Sequence, residues 1–265
     1  MDSNKLLAGP FLGEFGWELF AWQGVLRKMV EVGDYNEVVI GCKSGREYLY
    51  RDFATKFINI EGDDGMADVC TYNRVPPLFS ADILAAHSDH QIFTPHLDHY
   101  YKREQSFVKF GNKLEKGYDI LVHARNRTVA PYRNWSIDNW SSLIKKFGDF
   151  SIASIGSKNN SHLIDGTDDL RGIPLNELCD YMASAYVMAT PSSGPGHLAS
   201  LCGCRHVVWT DNKKRSINAD LFTNRDRYEH MWNPLKTKVV VIDDQEWNPS
   251  ADSVYHAMTR LIRNG

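Results

Sequence analysis

Three short segments of the chain concentrate residues that can hold an anion or move a proton. The longest is Thr190-Pro-Ser-Ser-Gly-Pro-Gly-His-Leu-Ala-Ser200. A strand pattern precedes it and a small-residue helix pattern follows, so the chain must turn at Ser192, Ser193 and Gly194 and present hydroxyls and amides at a helix start. Aligned peptide dipoles add partial positive charge there, which favours an anion, most simply a phosphate. A tight, capped turn without a ligand fits the same residues. The segment lacks the Gly-Lys-Ser/Thr ending of a Walker loop and the Gly-x-Ser-x-Gly order of a hydrolase elbow.

The second segment, His123-Ala-Arg-Asn-Arg127, closes an apolar run. If the chain stays extended, His123, Arg125 and Arg127 share one face. Two guanidiniums at the carboxyl end of a parallel strand can fork onto phosphate oxygens, with an attraction at about 4 Å of roughly 1 kcal/mol in water and about 4 in a partly shielded cleft. The alternative is a solvated loop that pairs with Asp138 or another carboxylate. The third segment is Gly9-Pro-Phe-Leu-Gly-Glu-Phe-Gly-Trp-Glu18. Its glycines miss the Gly-x-Gly-x-x-Gly spacing of a dinucleotide site but let a ligand approach the backbone. Glu14 has the type and place of a general base, whereas Glu18 reads as a helix-start carboxylate that favours the dipole or pairs with Glu14's neighbours.

The elements that position these segments alternate short apolar runs with amphipathic stretches, which predicts an α/β fold with parallel sheets. Expected strands are Lys5 to Ala8, Glu37 to Gly41, Phe57 to Ile60 and Gln91 to Thr94, then Asp119 to His123, Phe150 to Ile155, Tyr186 to Thr190, His206 to Trp209 and Val239 to Ile242. Expected helices are Trp17 to Val32, stopped by Gly33, Gly45 to Phe53, Ser136 to Phe147, Leu175 to Ser184, Gly196 to Cys202 and Ser250 to Ile262. The stretch Gly111 to Gly117 suggests a boundary between domains 1–115 and 116–265.

The 265 residues are 43% hydrophobic and 24% charged, a globular balance that leaves little room for disorder. The net charge of -3 gives no overall field for a polyanion. Residues 1–116 hold 13 basic and 17 acidic side chains, net -4, and residues 117–265 hold 17 and 16, net +1, so the second half is the better host for an anion. No apolar run is long enough to span a bilayer, and Met-Asp-Ser-Asn-Lys lacks the layout of a signal peptide, so a cytoplasmic location is expected. Five scattered cysteines suit reduced thiols. His87, Asp89, His90, His96, Asp98 and His99 match no zinc spacing, so no metal is expected. Cys202-Gly-Cys204 is one residue short of a redox pair, and the charges of Asp211 to Arg227 read as a solvated loop. Trp17, Trp22, Trp135 and Trp140 could stack on a sugar or base, although large aromatics usually build cores.

The run from Asp169-Leu-Arg-Gly-Ile-Pro-Leu through Ser192-Ser-Gly-Pro-Gly-His-Leu-Ala to Gly203 resembles the donor-binding segment of the heptosyltransferase-like (ADP-heptose:LPS heptosyltransferase) glycosyltransferases. That resemblance implies a GT-B fold, two Rossmann-like domains facing across a cleft, with the first one trimmed because 265 residues is short for the fold. It also implies a metal-independent, inverting transfer of a sugar from a nucleotide-diphosphate donor (a UDP-, GDP- or ADP-sugar) to an acceptor hydroxyl, with no further cofactor. Ser192, Ser193, Gly194, Gly196 and His197 would then hold the donor diphosphate. Arg125 and Arg127 would join them, since His123-Ala-Arg also resembles the His-x-Arg motif of fucosyltransferases. The Gly13-Glu14 loop is similar to the family's first loop, which makes Glu14 the implied base. Gly13, Trp17, His123, Ile173 and Pro174 are further expected donor or acceptor contacts. Two rivals keep the fold: a non-catalytic nucleotide or phosphometabolite binder, and a glycosyltransferase acting on modified bases in DNA.

Overall fold

The computed structural model describes residues 4–61, 79–95, 103–217 and 220–264. The chain forms two compact units, Met1–Phe107 and Val108–Gly265. In the first, β1 (Lys5–Ala8), β2 (Glu37–Cys42), β3 (Lys56–Asn59) and β4 (Gln91–Phe93) make a parallel sheet in the order β3-β2-β1-β4. The near-continuous apolar run Val38-Val39-Ile40 fits a strand covered on both faces, and all three residues are buried. Between β1 and β2 the chain forms one helical turn, α1 (Phe15–Trp17), a π-helical turn (Glu18–Trp22) and α2 (Gln23–Val32). Helix α3 (Ala81–Ala86) precedes β4, and its N-cap Ser80 accepts from the Ile83 amide.

The predicted helix over Gly45 to Phe53 is instead a single 3-10 turn, Glu47–Leu49. The Leu49 carbonyl, which would receive the Phe53 amide in an α-helix, accepts from Arg27 Nη2 at 3.0 Å, and the Phe53 amide turns to Tyr50 O. Arg27 is buried on α2 and also pairs with Asp52 at 2.8 Å, so this segment is shaped by a tertiary ion pair rather than by its own propensity.

In the second unit, β5 (Ile120–Val122), α4 (Ile137–Lys145), β6 (Ile152–Ser154), β7 (Asp168–Asp169), α5 (Leu175–Ser184), β8 (Val187–Pro191), α6 (Gly194–Cys202) and β9 (His206–Trp209) follow in turn. A hairpin, β10 (Arg215–Ile217) with β11 (Asp220–Phe222), leads to α7 (Asn224–His230), β12 (Val239–Ile242) and α8 (Ala251–Arg263). The sheet is parallel in the order β12-β9-β8-β5-β6-β7. Read from the other edge, that is the doubly wound Rossmann order, in which the winding reverses between β5 and β8. Ser136 and Ser250 cap α4 and α8 as expected, accepting from the amides of Asn139 and Ser253.

The compact units divide upstream of the Gly111 to Gly117 stretch because that stretch is bonded to the second unit. The Phe110 amide donates to Leu201 O, that of Asn112 to Asp180 Oδ1 and that of Leu114 to Ser184 Oγ. Gly111, at φ +80, lies so close to α5 that a Cβ would sit 2.1 Å from Cys179 O.

The core of the second unit is built around Trp135, Trp140 and Trp209, whose ring centroids are 4.9 to 5.4 Å apart. Val254, Ala257, Met258 and Leu261 of α8 complete it. These tryptophans are therefore structural. Trp140→Ala should cost about 3–5 kcal/mol in urea unfolding, whereas Ile137→Ala, at a side chain on the same helix in a residue 44% exposed, should change stability by less than about 0.5.

Candidate functional site

At the winding reversal of the second unit two strand ends meet. His123 follows β5, and its Nδ1 lies 3.0 Å from Thr190 Oγ1 and 3.3 Å from Ser193 Oγ at the end of β8. Ser193 is the N-cap of α6 in extended backbone, yet its hydroxyl donates back to Pro191 O at 2.9 Å rather than capping the helix. The first-turn amides of α6 precede the helix's own ladder and carry its positive end. Ser192 is buried beside Tyr228, 3.4 Å between hydroxyls.

Gly196 and His197 face elsewhere. A Cβ on Gly196 would meet Tyr228 Oη, Thr190 Cγ2 and Val208 Cγ1 at 3.2 to 3.3 Å, so this glycine lets α6 close onto the sheet. The His197 ring stacks on Tyr228 at 5.5 Å and meets Trp232 edge-on at 4.9 Å, inside an aromatic cluster. Both positions support the turn from behind.

The chain does not stay extended past β5, as a shared face for His123, Arg125 and Arg127 would require: the Arg125 amide donates back to His123 O at 3.0 Å in a tight turn about Ala124, while the Asn126 amide donates to Asn160 O and the His162 amide to Ala124 O. Arg125, however, is 4% exposed. Its guanidinium donates to Val129 O, Ala130 O and Asn134 Oδ1, bracing a loop in which Ala130 is left-handed at φ 51. That geometry supports a loop-holding role for Arg125. Arg127 is half-buried, with Asn134 Oδ1 accepting from its amide and Asn134 Nδ2 donating to its carbonyl.

The same loop carries a cation that sequence reasoning missed. The Arg133 guanidinium lies 4.6 Å from the centre of the Trp247 ring and close enough to His197 and Tyr228 to act on their titration. Following the basic motif on through Pro131-Tyr-Arg-Asn-Trp135 to the next helix would have found it. Ile173 and Pro174 lead into α5, and their turn is fastened by the Gly172 amide to Gly156 O at 2.8 Å. Gly156, at φ +118, leaves the room that the His123 ring fills, since a Cβ there would approach His123 Cδ2 to 2.8 Å.

In the first unit the loop after β1 crosses the carboxyl ends of its neighbours, with the Gly9 amide bonded to Phe93 O and the Phe11 amide to Gly41 O. Gly9, at φ +114, comes so near β2 that a Cβ would lie 2.4 Å from Gly41 O. Gly13, Glu14 and Trp17 follow, all half-buried, with Glu14 as the N-cap of α1. Glu18 is not a solvated helix-start carboxylate but 3% exposed, accepting from Tyr50 Oη at 2.6 Å. Burial and then Glu18 hold the Tyr50 phenol and the Cys42 thiol well above their ordinary values.

Among the described residues no group of three or more His, Cys, Asp and Glu side chains is arranged to hold a metal ion. Asp89 instead pairs with Lys5, which also faces Glu37, at the amino ends of β1, β2 and β4; His90 Nδ1 lies 2.9 Å from Asp89 Oδ1, and His96, Asp98 and His99 lie outside the described residues. Cys202 and Cys204 are buried. Of the charges over Asp211 to Arg227, Arg215 pairs with Asp211 and Arg225 with Asp243. No described helix is long and apolar enough to cross a membrane.

Neither a protein-family profile nor a curated protein matches the sequence. Solved structures do. A glycosyl transferase family 9 protein from Veillonella parvula DSM 2008 is similar at 12% identity and a TM-score of 0.60, over 100% of this chain and 99% of that one. The E. coli ADP-heptose lps heptosyltransferase II is similar at 12% and 0.60, over 98% of each chain. The E. coli heptosyltransferase WaaC with ADP is similar at 9% and 0.57, over 97% of this chain and 99% of that one. The two parallel-sheet units thus have the GT-B heptosyltransferase fold.

Burial holds the imidazoles of His123 and His197 down to about 3 and that of His206 to about 4. Arg125 and Arg127 add to the effect at His123, and His206 and Arg133 at His197. In the unfolded chain these rings titrate near the ordinary value of about 6.5, so below that pH the unfolded state binds more protons and stability falls as pH falls. Each histidine should contribute a slope of about 1.4 kcal/mol per pH unit. Urea unfolding at pH 7 and pH 5 measures the loss. Equal stability at the two values would mean that the rings are not held neutral.

Proposed function

We propose that the chain is a glycosyltransferase that moves a sugar from a nucleotide-diphosphate donor to an acceptor hydroxyl, with donor binding in the second unit and acceptor activation in the first. The observation that carries the reading is the contact between His123 and Ser193 at 3.3 Å, which brings the basic loop and the serine-glycine turn to one winding reversal. Open α/β sheets take their ligands outside the carboxyl ends of strands at that place. The WaaC neighbour was solved with ADP and the heptosyltransferase II neighbour is described by ADP-heptose, which supports a nucleotide sugar as co-substrate and puts ADP-sugars first among the donors to try.

In this mechanism the acceptor hydroxyl gives its proton to the Glu14 carboxylate as its oxygen attacks the anomeric carbon. The bond from that carbon to the diphosphate oxygen breaks, and the nucleoside diphosphate leaves with the electron pair. One displacement inverts the anomeric centre. Charge growing on the leaving group meets the α6 amides at Ser193 and Gly194 and the guanidiniums of Arg127 and Arg133, which take the part that a metal plays elsewhere. Arg125 holds the loop that presents them. His123, neutral at working pH, offers the site a hydrogen-bonding ring without a charge of its own.

The test is a thermal-shift screen of the full chain against ADP-, UDP- and GDP-sugars, followed by nucleoside diphosphate release. A donor at 100 times its dissociation constant should stabilise by about 2.7 kcal/mol. Glu14→Gln should keep that shift and lower transfer by about 10² to 10⁴. Stabilisation without turnover in the unaltered chain would identify a non-catalytic binder instead.

A further inference from the structure

The backbone that carries Glu14 is held by side chains to which the mechanism gives no role. The Glu14 carbonyl accepts from the Glu18 amide at 3.2 Å. The next residue, Phe15, lies with its ring under the Arg46 guanidinium, 3.7 Å from the ring centre. Arg46 Nη1 in turn sits 3.6 Å from Glu18 Oε2, while Glu18 Oε1 accepts from Tyr50. Two neighbours of Glu14, Phe15 along the backbone and Glu18 one turn on, are therefore both held by the Arg46 cation, and Glu18 also by the Tyr50 hydroxyl.

With Glu18 buried and the Arg46 side chain 21% exposed, this pair adds little net stability, because desolvation and solvent screening offset the attraction. At 3.6 Å the contact is also longer than a hydrogen bond. What it does supply is direction. A guanidinium stacked on an aromatic face and drawn to a carboxylate has few alternative poses, and those poses set where Phe15 lies and which way the peptide of Glu14 points.

We propose that Arg46, acting through Phe15 and Glu18, is a positioning residue for the Glu14 carboxylate. The proposal rests on the reading of Glu14 as the base. Misplacing a reacting group by about 1 Å costs up to about 10²-fold in rate, which sets the expected scale.

The experiment uses the full chain and whichever of the ADP-, UDP- and GDP-sugars stabilises it most, with glycerol and water as acceptors and nucleoside diphosphate release as the signal. Arg46→Met should lower kcat about 10- to 100-fold while the donor KM stays within about twofold, and Arg46→Lys should recover part of the loss. Hydrogen exchange of the peptides over 13–18 should quicken in Arg46→Met while those over β1 and β2 stay as they were. Glu18→Gln, which keeps its shape and still accepts from Tyr50, should give the same pattern in a smaller measure. Unchanged exchange over 13–18, unchanged kcat, or a loss of kcat that only tracks a lowered Tm and that Arg46→Lys does not relieve would each overturn the proposal. Glu14→Gln run alongside separates the two failures. If Glu14→Gln turns over as fast as the unaltered chain, or the unaltered chain releases no nucleotide, the base reading falls and this inference with it. If Glu14→Gln is impaired and Arg46→Met is not, only this inference falls.

Discussion

A buried imidazole joins two strand ends where the winding of the second unit reverses, and the local architecture answers to its needs. His123 has a hydroxyl partner at the end of β8, Thr190, and a second, Ser193, just beyond it. A charged ring there would sit in a poorly solvated place beside two arginines, so the neutral form prevails. Gly156 has no side chain where the ring lies, and Ser193 turns its own hydroxyl inward to Pro191. The start of α6 is consequently left to its amides rather than closed by a capping serine.

The arginines of the adjoining loop divide the work. A buried guanidinium demands acceptors for its donors, and Arg125 finds them in two carbonyls and an asparagine oxygen of the segment it supports. Asn134 then ties that segment to Arg127 through both amide atoms. Arg133 lies against the Trp247 ring, a contact that steadies a cation without neutralising it. Trp247 and Glu246 are both left-handed, at φ 68 and 44, so the backbone accepts strain at the place where this ring is held.

Much of this was legible in the residues. Period-two and apolar-run patterns marked β1, β2, β5, β8, β9 and β12 to within a residue or two, because parallel strands buried on both faces leave little choice of composition. Serine caps set the starts of α4 and α8. The two-residue strand β7, Asp168–Asp169, was illegible, since its residues carry no strand propensity and it forms only by edge pairing with β6. The Gly45 to Phe53 helix failed because an arginine more than fifteen residues earlier takes its carbonyl. At the site, the types of His123 and Ser193 marked two segments that meet at one winding reversal. Local spacing could not tell that Arg125 is consumed by its own loop, that His197 belongs to an aromatic cluster, or that Glu18 is buried, because each depends on a partner far away in sequence.

The π-helical turn over Glu18–Trp22 has a consequence for how this loop and its helix can vary. There the Gln23 amide reaches back five residues to Glu18 O. One residue more than an α-turn needs is stored in that coil, and at 3.6 residues per turn it offsets everything upstream by about 100° in azimuth. Helix α2 is locked in phase by Val25, Leu26 and Arg27, which are all buried. A single-residue deletion in this turn would leave a respectable amphipathic helix while rotating the preceding loop by more than a quarter revolution, so length here is under tighter constraint than composition.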